Sequence, residues 1–350
     1  MIKIVFSLIL IFLYYLICIC IYIIYSNIKN RRIYKKVDFI NNEVYKLIQI
    51  EAENLKVDKD INKKNMNKLK SKLSSKDYQR HIIKYLLSQE NKDEIILFLN
   101  RTKITELIFN QKESDEFDKA YKIYIIGEFN MQNHYQYLID STESDSIYIQ
   151  INSLKALSKL GDKKNFIIGL KNIIRSSSLI HEKVLTDVLY QFYKNDKELN
   201  KALKEELKNK AIELNKVIIN HFINTKYEGA KEIICDLLED NDTDKEIKIA
   251  CLKYFADIKY LKAKDILIKL LKNESWEIRA VSANALKDYK CKEVILSLQE
   301  SIKDKVWYVR QNSAKSLYNL VNKKDELQSI INGSDKYASD SIISIYSEEN

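Results

Sequence analysis

The chain has 350 residues, 46% of them hydrophobic and 31% charged, with a formal net charge of +9; that balance supports a folded core and excludes intrinsic disorder. With no proline and only five glycines, it lacks the turn chemistry of hairpins and barrels. Residues 1–80 hold 16 Lys and Arg against 7 Asp and Glu, while residues 81–350 hold 42 of each, so no basic excess is left for a face that grips nucleic acid.

Ile4 to Tyr25 form 22 positions without a charge, and as a helix they extend about 33 Å, enough for a hydrocarbon core of about 30 Å. A cleaved signal peptide would have a shorter apolar core ending in small residues. Here Ile, Tyr and Cys continue to the edge, so residues 1–28 read as an uncleaved single-pass anchor. Lys29, Arg31, Arg32, Lys35 and Lys36 follow directly. Positive charge beside a span is retained on the cytoplasmic side, which places the rest of the chain in the cytoplasm at the cell membrane. The same cluster can attract anionic lipid.

Residues 29–77 read as a basic juxtamembrane stalk and linker. Val37, Ile40, Val44, Leu47 and Ile48 keep three-to-four spacing, so the helix continues out of the membrane, its narrow stripe packing on later helices and interrupted at Glu51. Residues 56–76, dense in Lys, read as a charged linker or weak helix. Helical periodicity resumes near Tyr78 and is sustained to about residue 346, with short polar breaks. Gly161, after the apolar run from Ile149 to Leu160, is a natural C-terminal stop. No stretch alternates as a strand, and the expectation is all-α.

Between residues 263 and 321 a two-helix unit is written twice. Trp276-Glu277-Ile278-Arg279 recurs as Trp307-Tyr308-Val309-Arg310, 31 residues on. At that offset Ala283 matches Ala314 and Leu286 matches Leu317; stepping back finds Ile247, Leu252 and Phe255 in the same roles. A fixed period of this length signals stacked supersecondary units with a continuous core. These residues resemble the HEAT family of helical repeats, in particular the bacterial HEAT-like units also seen in phycobilisome lyases. Ala230-Lys231-Glu232-Ile233-Ile234 and Ala263-Lys264-Asp265-Ile266-Leu267 supply the first helix of the pair. The resemblance implies an α-solenoid of helix pairs over 78–346. Because Trp276, Arg279, Trp307 and Arg310 recur with the period, they are expected at the repeat interfaces, Trp filling the gap between units and Arg meeting carboxylates of the adjacent turn.

No catalytic constellation stands out. His81, His134, His181 and His221 are far apart and unrepeated. Asp240 to Glu246 alternates carboxylates like a calcium loop, but Lys245 stands where that loop needs glycine and Cys251 where it needs a bidentate Glu. Asp244 reads more simply as a helix cap. Cys235, Cys251 and Cys291 fall at apolar helix positions, as buried small hydrophobes do. The sequence therefore points to a membrane-anchored scaffold or adaptor whose cytoplasmic solenoid binds a partner protein, a membrane-embedded enzyme being one candidate class, with no catalysis, cofactor, metal or nucleic acid expected. The competing reading is a repeat-fold enzyme, bilin-lyase-like or nucleic-acid-processing, which would need unrepeated polar residues clustered on one face.

Overall fold

The computed structural model describes residues 2–56, 61–176, 180–207, 211–321 and 324–348. Every element among them is helical, as the periodicity predicts. The chain divides into two compact units, Met1–Phe129 and Asn130–Asn350, a boundary that falls inside the 78–346 range read as the array.

The first unit contains α1 (Ile2–Lys56), α2 (Lys63–Leu73), α3 (Lys76–Leu87), α4 (Lys92–Arg101), α5 (Ile104–Phe109) and α6 (Glu116–Glu128). Within α1, Leu8–Ile28 is 21 residues of mean hydropathy 2.7 with none of it buried, long and apolar enough to cross a bilayer. The same helix runs on without a break through the basic cluster. In its second half Val37, Ile40, Val44 and Ile48 are buried where α2, α3 and α4 pack on it. The Lys-rich segment read as a charged linker or weak helix contains α2, because Leu69 and Leu73, one turn apart, are fully buried and outweigh the solvated lysines around them.

Glu51, which breaks the apolar stripe, is also fully buried. Its carboxylate accepts from the Asn62 N–H at 2.9 Å and Asn65 Nδ2 at 2.6 Å. These donors sit at the start of α2, where orphan N–H groups and the helix dipole favour an anion. Glu43 ties the other end of α2 through Lys72 at 3.6 Å, so α2 runs antiparallel to α1.

The second unit contains α7 (Tyr135–Ser141), α8 (Ile147–Leu160), α9 (Lys163–Arg175), α10 (Glu182–Asn195), α11 (Leu199–Glu206), α12 (Ile212–Thr225), α13 (Lys231–Glu239), α14 (Lys245–Asp257), α15 (Lys264–Leu270), α16 (Trp276–Ala285), α17 (Lys292–Ser301), α18 (Trp307–Leu320), α19 (Lys324–Ile331) and α20 (Lys336–Glu348). These are seven helix pairs among the described residues. The second helix of each pair packs on the second helix of the next, from α8 to α20, the layered stacking of an α-solenoid. Phe222, Phe255, Leu286 and Leu317 occupy corresponding buried places along the row, each stabilising by roughly 1.5–3 kcal/mol. Alanine lets neighbouring backbones approach: Ser316 Oγ donates to the Ala283 carbonyl at 2.7 Å and Asn312 Nδ2 to that of Ala280 at 2.8 Å.

Local chemistry sets the helix ends. Gly161 closes α8 in the left-handed region at φ 76°, which costs a residue without Cβ nothing. The Asp244 side chain accepts from the Glu246 N–H at 2.7 Å and caps α14, the role its sequence suggests.

Candidate functional site

The recurring tetrapeptides open α16 and α18, so their four residues are the first helical turn. The third of each, Ile278 and Val309, is buried. A helix that turns its third residue inward leaves its first two facing solvent. Trp276 and Trp307 are accordingly 39% and 54% exposed, and Tyr308 57%. The interior slot expected for the tryptophans is taken instead by the aliphatic residues beside them, so the rings lie over the joints from outside.

These first turns meet along one edge of the unit. Trp276 stacks on Tyr308 of the next repeat with ring centroids 5.4 Å apart and planes 24° apart. Trp307 meets the same tyrosine edge-on at 5.0 Å. The Arg310 guanidinium lies 5.1 Å from the centre of the Tyr337 ring, which is 67% exposed at the start of α20. One repeat earlier the same joint is ionic: Lys245 Nζ meets Glu277 Oε1 at 2.8 Å. The Lys245 bond and the Ser275 hydroxyl hold the Glu277 carboxyl down at about 2. The position 32 residues after the first residue of a second helix thus carries its partner, Glu277 for Lys245 and Tyr308 for Trp276. That offset was readable, yet the repeat period of 31 directed attention to equivalent residues rather than touching ones, and Tyr308 and Tyr337 were missed.

Beneath the aromatic ridge the two arginines differ: Arg279 meets a carboxylate of the adjacent turn and Arg310 does not. Arg279 donates from Nε and Nη2 to the two Asp304 oxygens at 2.7 and 3.0 Å, and from Nη1 to the Asn273 and Glu274 carbonyls at 2.9 and 3.0 Å. Burial pushes the Asp304 carboxyl up, but the Arg279 bonds, the Val306 N–H and the Lys305 charge outweigh it and hold the group below its ordinary value. Arg310 repeats half of this, donating to the Asp304 and Lys305 carbonyls at 2.8 and 3.2 Å. Its Nε is buried without a partner, because Asp335, 31 residues past Asp304, instead accepts from the Ala338 N–H at 3.0 Å.

Chemically the ridge offers stacking faces, one indole edge after another and a cation, which is recognition rather than reaction chemistry. Of the histidines, His181 caps α10 by accepting from the Lys183 N–H at 3.2 Å. His221 is fully buried, its Nε2 2.8 Å from Asn200 Oδ1, and burial lowers its pKa to about 4. Asp236, Asp240 and Asp244 rim a cavity of about 540 Å³ over Leu207, Ile233 and Ile247. Among the described residues no three His, Cys, Asp or Glu side chains converge as a metal-binding group. Of the basic cluster, Arg31 is exposed on α1; the side chains of Lys29, Arg32, Lys35 and Lys36 lie outside the described residues.

No curated protein matches the chain. Among solved structures it is similar to an engineered protein from the Northeast Structural Genomics Consortium, at 14% identity and a TM-score of 0.40, covering 89% of this chain and 95% of that one. A family model described as HEAT repeats matches residues 232–318 and 264–333. Those segments run from α13 to α19 and hold Trp276, Trp307 and Tyr308, so over residues 232–333 the chain matches HEAT repeats.

Proposed function

We propose that this chain is a membrane-anchored scaffold or adaptor: α1 spans the bilayer, and the helix pairs, as one solenoid on the cytoplasmic side, hold a partner protein. HEAT repeats typically serve as protein-interaction scaffolds, and the observation that carries the reading here is the aromatic ridge of Trp276, Trp307, Tyr308 and Tyr337. Aromatic residues are enriched at protein interfaces because they supply large contact area at little conformational cost, and Trp and Tyr dominate binding energy there. Three such rings in mutual contact and a fourth beside Arg310, all exposed, are costly unless something covers them. The anchor confines the array to two dimensions and raises its effective concentration toward partners in the same membrane.

The ridge is tested with Trp307→Ala combined with Tyr308→Ala in the full-length chain. Because the rings are exposed, melting in detergent should weaken by only about 1–2 kcal/mol. Capture of the partner from solubilised membranes should fall at least tenfold. Unchanged capture would remove the ridge from the binding reading. Orientation is a separate matter: protease added to intact cells should leave residues 78–350 whole, and their digestion would reverse the assigned sidedness.

A further inference from the structure

The apolar stretch of α1 is not uniformly apolar. Tyr14, Tyr15, Tyr22 and Tyr25 lie in it and are all exposed. Tyr15, Cys18, Tyr22 and Tyr25 are spaced three, four and three residues apart, and Tyr14 adjoins them. At about 100° per residue they share one face roughly 100° wide. Leu13, Ile17 and Ile24 lie on the opposite face.

Tyrosine belongs at the membrane–water interface, where its hydroxyl is wet. Tyr25, near the end of Leu8–Ile28, can reach that layer. Tyr22 cannot: it stands about 9 Å inside the boundary, and helical side chains lean toward the N-terminus, which here carries its hydroxyl toward the bilayer centre. Tyr14 and Tyr15 stand about 15 Å inside the other end of the apolar run at Ile4, deep enough that the same lean, which here points outward, still leaves their hydroxyls in hydrocarbon. Lipid tails offer these hydroxyls no acceptor, and an unmet polar group in hydrocarbon is costly. Polar side chains on one face of a span are met by another helix.

A second copy of this chain does not fit that face. Tyr15, Cys18 and Tyr22 lie 22 residues, about six turns, below Val37, Ile40 and Val44, the residues buried against the helices that follow α1. The tyrosine face therefore points to the same side of the rod as the α2–α4 bundle. A parallel copy packed on it would drive its own α1, continuous to Lys56, into that bundle. A helix that ends at the membrane surface meets no such obstacle.

From this we infer that the tyrosine face docks a transmembrane helix of a different membrane protein, one whose facing side offers acceptors to the Tyr15 and Tyr22 hydroxyls. The inference rests on α1 as a span and not on the aromatic ridge. The test places a photo-reactive benzoylphenylalanine at Tyr22 or, on the opposite face, at Ile24, in the full-length chain in membranes of its source cell. Irradiation should give an adduct from position 22 whose crosslinked peptide maps within an apolar span of another protein, at least tenfold stronger than from position 24. Tyr15→Phe in the position-22 chain should weaken that adduct while the chain stays membrane-bound. Equal yields from both positions, adducts to lipid alone, or an adduct of twice the chain's own mass would each overturn the inference. Release of the chain by alkaline carbonate would overturn it together with the span. Trp307→Ala with Tyr308→Ala should leave the position-22 adduct unchanged, which separates this face from the ridge.

Discussion

Arg279→Ala should lower the stability of the second unit by about 3–5 kcal/mol, the cost of breaking a buried ion pair from one side. Arg279 and Asp304 side chains are 10% and 13% exposed, so the carboxylate left behind stays out of water with its counter-charge gone. The Asn273 and Glu274 carbonyls lose their donor in the same step. Arg279→Lys should rescue little, since an ammonium cannot reproduce the two-pronged contact and reach both carbonyls. Arg310→Ala is the internal comparison: it removes bonds to two carbonyls and a ring contact, worth about 1 kcal/mol. In a stack where units touch only neighbours, the loss falls locally. Hydrogen exchange should show α16 to α18 opening in Arg279→Ala while α8 to α10 keep their protection; a cost equal to that of Arg310→Ala would show the pair to be idle.

Acid should act through His221. Its pKa is lowered in the fold to about 4 by burial, against about 6.5 in an unfolded chain. Below pH 6.5 the unfolded state takes up a proton that the folded state refuses. Stability from the neutral ring is therefore complete above about pH 6.5 and is lost as pH falls toward 4, by about 3 kcal/mol over the whole window. His221→Gln keeps a donor toward Asn200 Oδ1 but cannot titrate. The wild-type denaturation midpoint should fall relative to the Gln variant between pH 6.5 and 4, since carboxylates common to both cancel in the difference. Parallel curves would mean that the ring is already charged in the fold.

The fold was legible because the repeat writes its own interface. Ile278, Val309, Ala283 and Ala314 recur at one offset, and only residues under the same packing constraint do so over successive units. Arg279 was legible for the same reason. The tryptophans were not, because periodicity says that a residue repeats but not whether it faces inward. That was decided by the neighbours Ile278 and Val309, which claim the buried third position of the turn. Tyr308 was hidden because a residue and its contact are 32 apart while a residue and its equivalent are 31 apart. Near the N-terminus, charge blurred structure: α2 read as a linker or at most a weak helix because its lysines outnumber Leu69 and Leu73, yet two leucines one turn apart are enough when a long helix already presents a matching groove. Glu51 looked like a flaw in the stripe until the start of α2 was placed against it.

The unbroken course of α1 also has a mechanical consequence. From Ile28 to Lys56 the helix continues for about 42 Å, stiffened by the helices packed on Val37, Ile40, Val44 and Ile48. A span longer than the local bilayer is accommodated by leaning, and with no hinge to absorb it, a lean of about 20° swings the far end of such a rod by about 14 Å. With α1 spanning a bilayer as proposed, the first unit would ride on that lever, and its height above the membrane and its bearing would follow the thickness of the bilayer below.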